Sequence, residues 1–327
     1  MKNKWISLAA AGILLLLAAC NNEDDPVASE DLGIVDMFSP GADADQEVKD
    51  IYNKYGVWVR THFNDIDELA NAIIAEDQMV SMRGATNIQE QYIPETYAYT
   101  QTLLGNVSVD FVKQYFPLEF FYVETCGASF WTYDLLSIGR SRLVICWPNQ
   151  MEGCIPVTAP VNHYYQDSVL TVNVWNRLVN MVTLRMNEDL LPEFGAAGKM
   201  YDGGEASDNI YQQYQQDGDE EKYNQSMQEL ADGGGFISGD GSSDFRSDIG
   251  EWLQLLVTES YDNIKRTYLD NNSMRAQKYE ILVNWLKDNF DWDIQAAGNK
   301  FRAEYDAYKA TLPPPDPDES GEDEEIE

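Results

Sequence analysis

Hydrophobic residues recur every three or four positions in several parts of the chain, a spacing that predicts helices. Val48, Ile51 and Tyr55 mark a first helix over 45–55, and a second is predicted over 107–115. After residue 166 the helical spacing dominates. It predicts five further helices, at 168–187, 209–230, 244–256, 274–289 and 294–308.

Strand patterns are confined to the first half of the folded region. Alternating or continuous apolar residues predict strands over 57–63, 118–123 and 142–147. The sequence therefore predicts an α+β fold over 44–312. A mixed sheet and helix part, 44–160, is followed by a mainly helical part, 161–312.

The two ends of the chain are not predicted to join this fold. Lys2 and Lys4 precede an uncharged apolar run, and small residues lead into Cys20. This pattern is typical of a bacterial lipoprotein, so we expect a signal peptide over 1–19 and lipidation of Cys20. An acidic tether is predicted over 20–43, and the proline and acid composition of 313–327 predicts a disordered tail.

The residues after Cys20 also bear on localisation. The sequence Asn-Asn-Glu-Asp-Asp at 21–25 resembles the export signal that sends some lipoproteins to the outer face of the outer membrane. We therefore expect an outer-membrane protein that is lipid-anchored and faces the cell exterior. A solvated charged tether is the alternative explanation of the same cluster.

Charge and composition exclude several classes of protein. The 56 acidic residues against 22 Lys and Arg give a net charge of −34, which argues against a nucleic-acid partner. A hydrophobic content of 44% is too high for a disordered acidic protein. The two histidines, His62 and His163, are too far apart to share a helical zinc motif, so no metal or cofactor is predicted.

Three cysteines follow the predicted lipidation site, namely Cys126, Cys146 and Cys154. An odd number leaves at least one outside any intramolecular disulfide. A bond between Cys146 and Cys154 would close a short loop, whereas small buried side chains are an equal alternative.

Two predicted helices carry stripes of polar residues on one side. The stripe in 168–187 consists of Asn173, Asn176, Asn180, Thr183 and Asn187. It suits a solvated face, and it also suits the lining of a polar cleft. The stripe in 244–256 contains Asp244, Asp248 and Glu251. It is typical of an exposed acidic face, and calcium binding with the loop 238–244 is a weaker alternative because the EF-hand spacing is missing.

Several short stretches occur in an order that matches a known family. They are 48–59, 111–123, 138–149, 191–194, 235–238, 247–251 and 278–294. Together they resemble the substrate import-associated zinc metallohydrolase lipoproteins, gluzincin-like peptidases of the bacterial surface encoded beside TonB-dependent importers. The resemblance implies a zincin-like fold and a place beside such an importer.

The chain departs from that family where the chemistry would occur. The family carries H-E-x-x-H on its central helix, and the positions that correspond here are Asn176, Arg177, Leu178, Val179 and Asn180. Amides are poor zinc ligands, and a guanidinium repels the ion. Acids remain only at Glu251 and Asp248. The resemblance therefore implies no catalytic residue, and it favours a vestigial active-site cleft formed by Asn176, Arg177, Asn180, Asp248 and Glu251.

Three functions remain open from the sequence. The leading hypothesis is a catalytically inactive accessory or binding component of a peptide or glycan importer, with a TonB-dependent transporter and its partner lipoprotein as partners. Trp58, Trp131 and Trp147 would suit sugar stacking, although core positions are their default. The alternatives are a structural subunit without a ligand, and a non-zinc hydrolase with an acid pair among Asp240, Asp244, Asp248 and Glu251.

Overall fold

The structure is a computed structural model that describes residues 39–65, 68, 84–128, 131, 132, 134–139 and 141–313. The predicted signal peptide, Cys20, most of the tether and the tail after residue 313 lie outside the described residues. The chain from Pro40 onward forms one unit.

The first part of this unit mixes helices and strands. It contains α1 (Gln46–Tyr55), β1 (Trp58–Arg60), β2 (Thr86–Asn87), α2 (Ile93–Gly105), α3 (Val109–Tyr115), β3 (Glu119–Thr125), β4 (Gly127–Ala128), β5 (Trp131–Thr132), β6 (Leu135–Ile138) and β7 (Arg142–Cys146). The strand order is β1-β3-β7-β6. β1, β3 and β7 are parallel, β6 is antiparallel to β7, and β2 pairs with β3 in the antiparallel sense.

The central strand β3 separates two apolar clusters, because successive side chains point to opposite faces of a sheet. Phe120 and Tyr122 belong to the main core, which also includes buried side chains of the helical part. Phe121 and Val123 belong to a smaller cluster on the other face, together with the side chain of Cys126. The sheet is thus buried on both sides at its centre.

The second part is almost wholly helical. It contains α4 (His163–Gln166), α5 (Ser168–Thr183), α6 (Pro192–Ala196), α7 (Glu205–Asp217), α8 (Glu220–Gly234), α9 (Phe245–Thr258), α10 (Tyr261–Ile264), α11 (Ser273–Phe290) and α12 (Ile294–Lys309). Side-chain caps fix several helix starts. Asp244 accepts the Ser247 N–H at 2.8 Å at the start of α9, and Asp293 accepts the Ala296 N–H at 3.0 Å at the start of α12.

The predicted fold class is confirmed, since a mixed sheet and helix part precedes a helical one. Two details differ. The predicted helix 209–230 is wrong as a single element, because Gly218 adopts a left-handed φ of 67° and separates α7 from α8. Helix α2 was not predicted at all. Among the described residues, no helix is both long and apolar enough to cross a bilayer.

The three described cysteines are not joined by a disulfide. Cys126 and Cys146 are buried, which fits the alternative of small core side chains. Burial raises the pKa of the Cys126 and Cys154 thiols to about 12, so both remain protonated at neutral pH.

Candidate functional site

Helices α5 and α9 carry all the residues of the predicted vestigial cleft, and they pack against each other. Their contact is close at Gly250 of α9. A Cβ atom placed on that glycine would lie 3.6 Å from Cγ2 of Thr183 and 4.0 Å from Cγ2 of Val179. Both distances are ordinary van der Waals contacts, so the two helices lie side by side at this position.

The predicted site residues of α5 are all exposed. Asn176 and Asn180 lie one turn apart, and the Asn180 Nδ2 group donates to Oδ1 of Asn176 at 3.3 Å. Arg177 is exposed beside them. The rest of the predicted stripe is less uniform, since Asn173 is half-buried and Thr183 is buried. The outer part of the stripe thus presents two amides and a guanidinium to solvent.

Asp248 occupies a very different environment. Its side chain is fully buried, and Oδ2 accepts from Lys278 Nζ at 2.6 Å and from the Tyr201 hydroxyl at 3.0 Å. Burial raises the pKa of Asp248 to about 6, although the ammonium of Lys278 opposes this shift. The predicted exposed acidic face is therefore wrong at Asp248, because the carboxylate points into the protein and pairs with α11.

The Lys278 side chain is as deeply buried as its partner. Its Nζ lies 4.3 Å from the ring centroid of Phe236 and 5.4 Å from that of Phe194. A Cβ atom on Gly198 would lie 2.6 Å from the same Nζ, so only glycine leaves room for the ammonium. Burial lowers the pKa of Lys278. The two aromatic rings and Gly198 enclose the ammonium beside Asp248.

Glu251 lies one turn along α9 from Asp248 and is half-buried. The Ser238 N–H donates to its Oε2 at 3.0 Å, and the Ser238 hydroxyl donates to its Oε1 at 2.5 Å. Burial raises the pKa of Glu251 to about 7, and the two hydrogen bonds from Ser238 oppose the shift. Glu251 thus joins α9 to the loop before it.

These residues do not fit a zinc ion of the kind that the family resemblance would imply. Two amides and a guanidinium occupy the positions of the ligands and base, and Asp248 is already paired with an ammonium at 2.6 Å. No hydrogen bond or ion pair between described residues connects Asn176, Arg177 or Asn180 to either acid. Within the described ranges, no group of three or more His, Cys, Asp or Glu side chains is placed to hold a metal ion.

The raised pKa of Glu251 predicts a pH effect on stability. A carboxyl that keeps its proton up to about pH 7 when folded, against 4.5 in the unfolded chain, stabilises the protein below pH 4.5. This contribution is lost as the pH rises to 7 and amounts to about 3 kcal/mol. We expect Glu251→Gln to lack this loss, since an amide does not ionise.

Urea unfolding of the wild type and the variant at about pH 4.5 and about pH 8 measures the effect. When the pH is raised from about 4.5 to about 8, the unfolding free energy of Glu251→Gln should rise by about 3 kcal/mol relative to that of the wild type. Glu280→Gln is the control, because Glu280 is exposed on α11, away from the Ser238 loop. An equal difference at both pH values would show that Glu251 has an ordinary pKa.

A second set of residues comes together that the sequence did not indicate. Two adjoining clefts, of about 480 and 390 Å³, share Asp45, His62 and Tyr97 in their lining. We name them together the Tyr97 groove. The Tyr97 hydroxyl donates to Oδ2 of Asp45 at 2.9 Å, and Thr61 Oγ1 lies 3.2 Å from Nδ1 of His62. The groove lies where the start of α1, the end of β1 and one face of α2 meet.

The tryptophans considered for sugar stacking have other roles where the structure describes them. Trp147 is completely buried in the main core. Trp58 is half-buried, and the guanidinium carbon of Arg60 lies 4.5 Å from its ring centroid. The side chain of Trp131 lies outside the description. Trp147 is therefore a core residue, as the default interpretation had it.

No protein-family profile and no curated protein matches the chain. Among solved structures, the chain is similar to a crystal structure from Bacteroides caccae that is provisionally described as a zinc-binding metallo-peptidase. The identity is 12%, the match covers 82% of this chain and 96% of that chain, and the TM-score is 0.47.

Proposed function

We propose that this chain is a surface-exposed outer-membrane lipoprotein, anchored through Cys20. It would serve as a catalytically inactive, zincin-like accessory component of a TonB-dependent importer of peptides or glycans. The main support for this proposal is the exposed face of α5, where Asn180 donates a hydrogen bond to Asn176 beside Arg177. These groups recognise polar ligands well and hold zinc poorly.

The environment of the acids on α9 supports the non-catalytic part of the proposal. A carboxylate that ligates zinc must reach the ion and balance its charge. The charge of Asp248 is instead balanced by the ammonium of Lys278 in the protein interior, and both oxygens of Glu251 accept hydrogen bonds from Ser238. The carboxylates thus stabilise the contacts of α9 with α11 and with the loop before α9.

Co-purification tests the importer role directly. The tagged protein is extracted from native outer membranes in mild detergent, and the bound proteins are identified and quantified by mass spectrometry. We expect a TonB-dependent transporter and its partner lipoprotein in near-equal amounts. A Cys20→Ser variant is the control for anchoring, because it removes the thiol that would carry the lipid. Recovery of the chain without a transporter would contradict the proposal.

A hydrolase without zinc is the second candidate, and one observation favours it. The Ser238 hydroxyl donates to a carboxylate whose pKa is raised to about 7, which is the relation of a nucleophile to a general base. Such an enzyme would cleave peptide or glycan in the presence of a chelator and lose this activity in Glu251→Ala. The accessory role requires no cleavage in either protein.

A further inference from the structure

The floor of the Tyr97 groove is apolar and firmly held. Ile93, Pro94 and Ala98 line the larger cleft along one face of α2. Tyr97 is only 8% exposed, and its hydrogen bond to Asp45 fixes the ring between α1 and α2. Clefts of about 300–1,000 Å³ with an apolar lining and a few convergent polar groups are typical of ligand sites. Both clefts fall in this range.

The charged residues that line the groove are mostly acidic. The carboxylates are those of Asp43, Asp45, Glu47, Glu68 and Glu90. Among the lining residues that the structure describes, Arg60 is the one Lys or Arg, and it is paired with Glu68 at 3.1 Å and with the buried Glu119 at 3.6 Å. A concave surface that carries negative charge concentrates positively charged groups.

Three of these carboxylates surround the apolar floor and keep acceptor oxygens available. Asp45 uses Oδ2 for Tyr97, and no described residue bonds to its Oδ1. The side chains of Glu47 and Glu90 are exposed and form no hydrogen bond or ion pair with a described residue. A cation that enters the groove therefore meets oxygen atoms that no described residue neutralises.

We propose that the Tyr97 groove binds extended peptides through lysine or arginine side chains. The aliphatic part of such a side chain packs on Ile93, Pro94 and Ala98, and its charged end reaches the carboxylates of Asp45, Glu47 and Glu90. Long basic side chains combine these two properties, an apolar stem and a cationic tip. The inference does not rest on the import role, because the purified protein binds the peptide by itself.

Isothermal titration calorimetry of the purified full chain at physiological ionic strength tests this proposal. The probe is a blocked pentapeptide of sequence Ala-Lys-Ala-Lys-Ala, and its counterpart carries glutamine in place of lysine. The lysine peptide should bind at least about tenfold more tightly than the glutamine peptide. Equal binding of the two peptides, or no binding of the lysine peptide, overturns the proposal.

A matched pair of variants distinguishes binding in the groove from attraction to the overall negative charge of the protein. The first combines Asp45→Asn, Glu47→Gln and Glu90→Gln, and should weaken lysine-peptide binding about tenfold or more. The second combines Glu220→Gln, Glu221→Gln and Glu229→Gln, which makes the same change in charge on exposed positions of α8. It should change the affinity by less than about twofold.

A steric variant provides an independent check without a change in charge. Ala98 is exposed in the wall of the larger cleft, so Ala98→Trp should fill the floor and abolish binding while the protein stays folded. Equal losses in the groove triple variant and the α8 triple variant would show diffuse electrostatic attraction. Unchanged binding in Ala98→Trp would place the peptide elsewhere. Either result contradicts the proposal.

Discussion

Replacing Lys278 by methionine is expected to lower the free energy of unfolding by about 3–5 kcal/mol near neutral pH. The substitution leaves the Asp248 carboxylate fully buried without its cationic partner. The Tyr201 hydroxyl still donates to it, but one hydrogen bond does not balance the cost of burying a charge. Urea unfolding followed by circular dichroism measures the loss.

The double variant Asp248→Asn with Lys278→Met isolates the cause. An asparagine at this position still accepts from Tyr201 and carries no charge, so most of the lost stability should return. The surface pair Lys287 and Asp291 is the matched control, because its Nζ–Oδ1 distance is also 2.6 Å. Both of its side chains are more than half exposed, and Lys287→Met should change the stability little. Equal losses in the buried and exposed pairs would contradict this account.

The sequence predicted most helices and the central strands, because their apolar spacing reflects one buried face. It did not predict α2, whose buried residues include two threonines and two tyrosines. These residue types favour strands or turns, but here Thr100 Oγ1 lies 2.7 Å from the Tyr122 hydroxyl of β3, and the Tyr97 hydroxyl donates to Asp45 at 2.9 Å. The helix is thus stabilised by tertiary contacts that no local pattern reveals.

The same limit applies to the candidate site. An acid at the position of Asp248 suggests an exposed face, and only the structure shows that Lys278, thirty residues later in α11, reaches it. The Tyr97 groove was missed because its residues come from α1, the end of β1 and α2. Asn176 and Asn180 are exposed on one side of α5, as the periodicity of the stripe predicts, whereas Thr183 of the same stripe is buried.

We propose that the exposed face of α5, together with Glu251 on α9, is the remnant of a zinc site that has lost its two histidine ligands. Combining Asn176→His, Arg177→Glu and Asn180→His would restore two imidazoles one turn apart and a base beside them. We expect this triple variant to bind zinc, with Glu251 released from Ser238 to act as the third ligand. The wild type should not bind zinc at the same positions.

Two imidazoles at this spacing bind zinc weakly on any exposed helix, so the test needs a reference. Gln225→His with Glu229→His places such a pair on the exposed face of α8. Zinc titration calorimetry of the triple variant should give an affinity at least about tenfold above this reference, and adding Glu251→Gln should remove the gain. A folded triple variant that binds zinc no more tightly than the reference, or that is indifferent to Glu251, would contradict the claim.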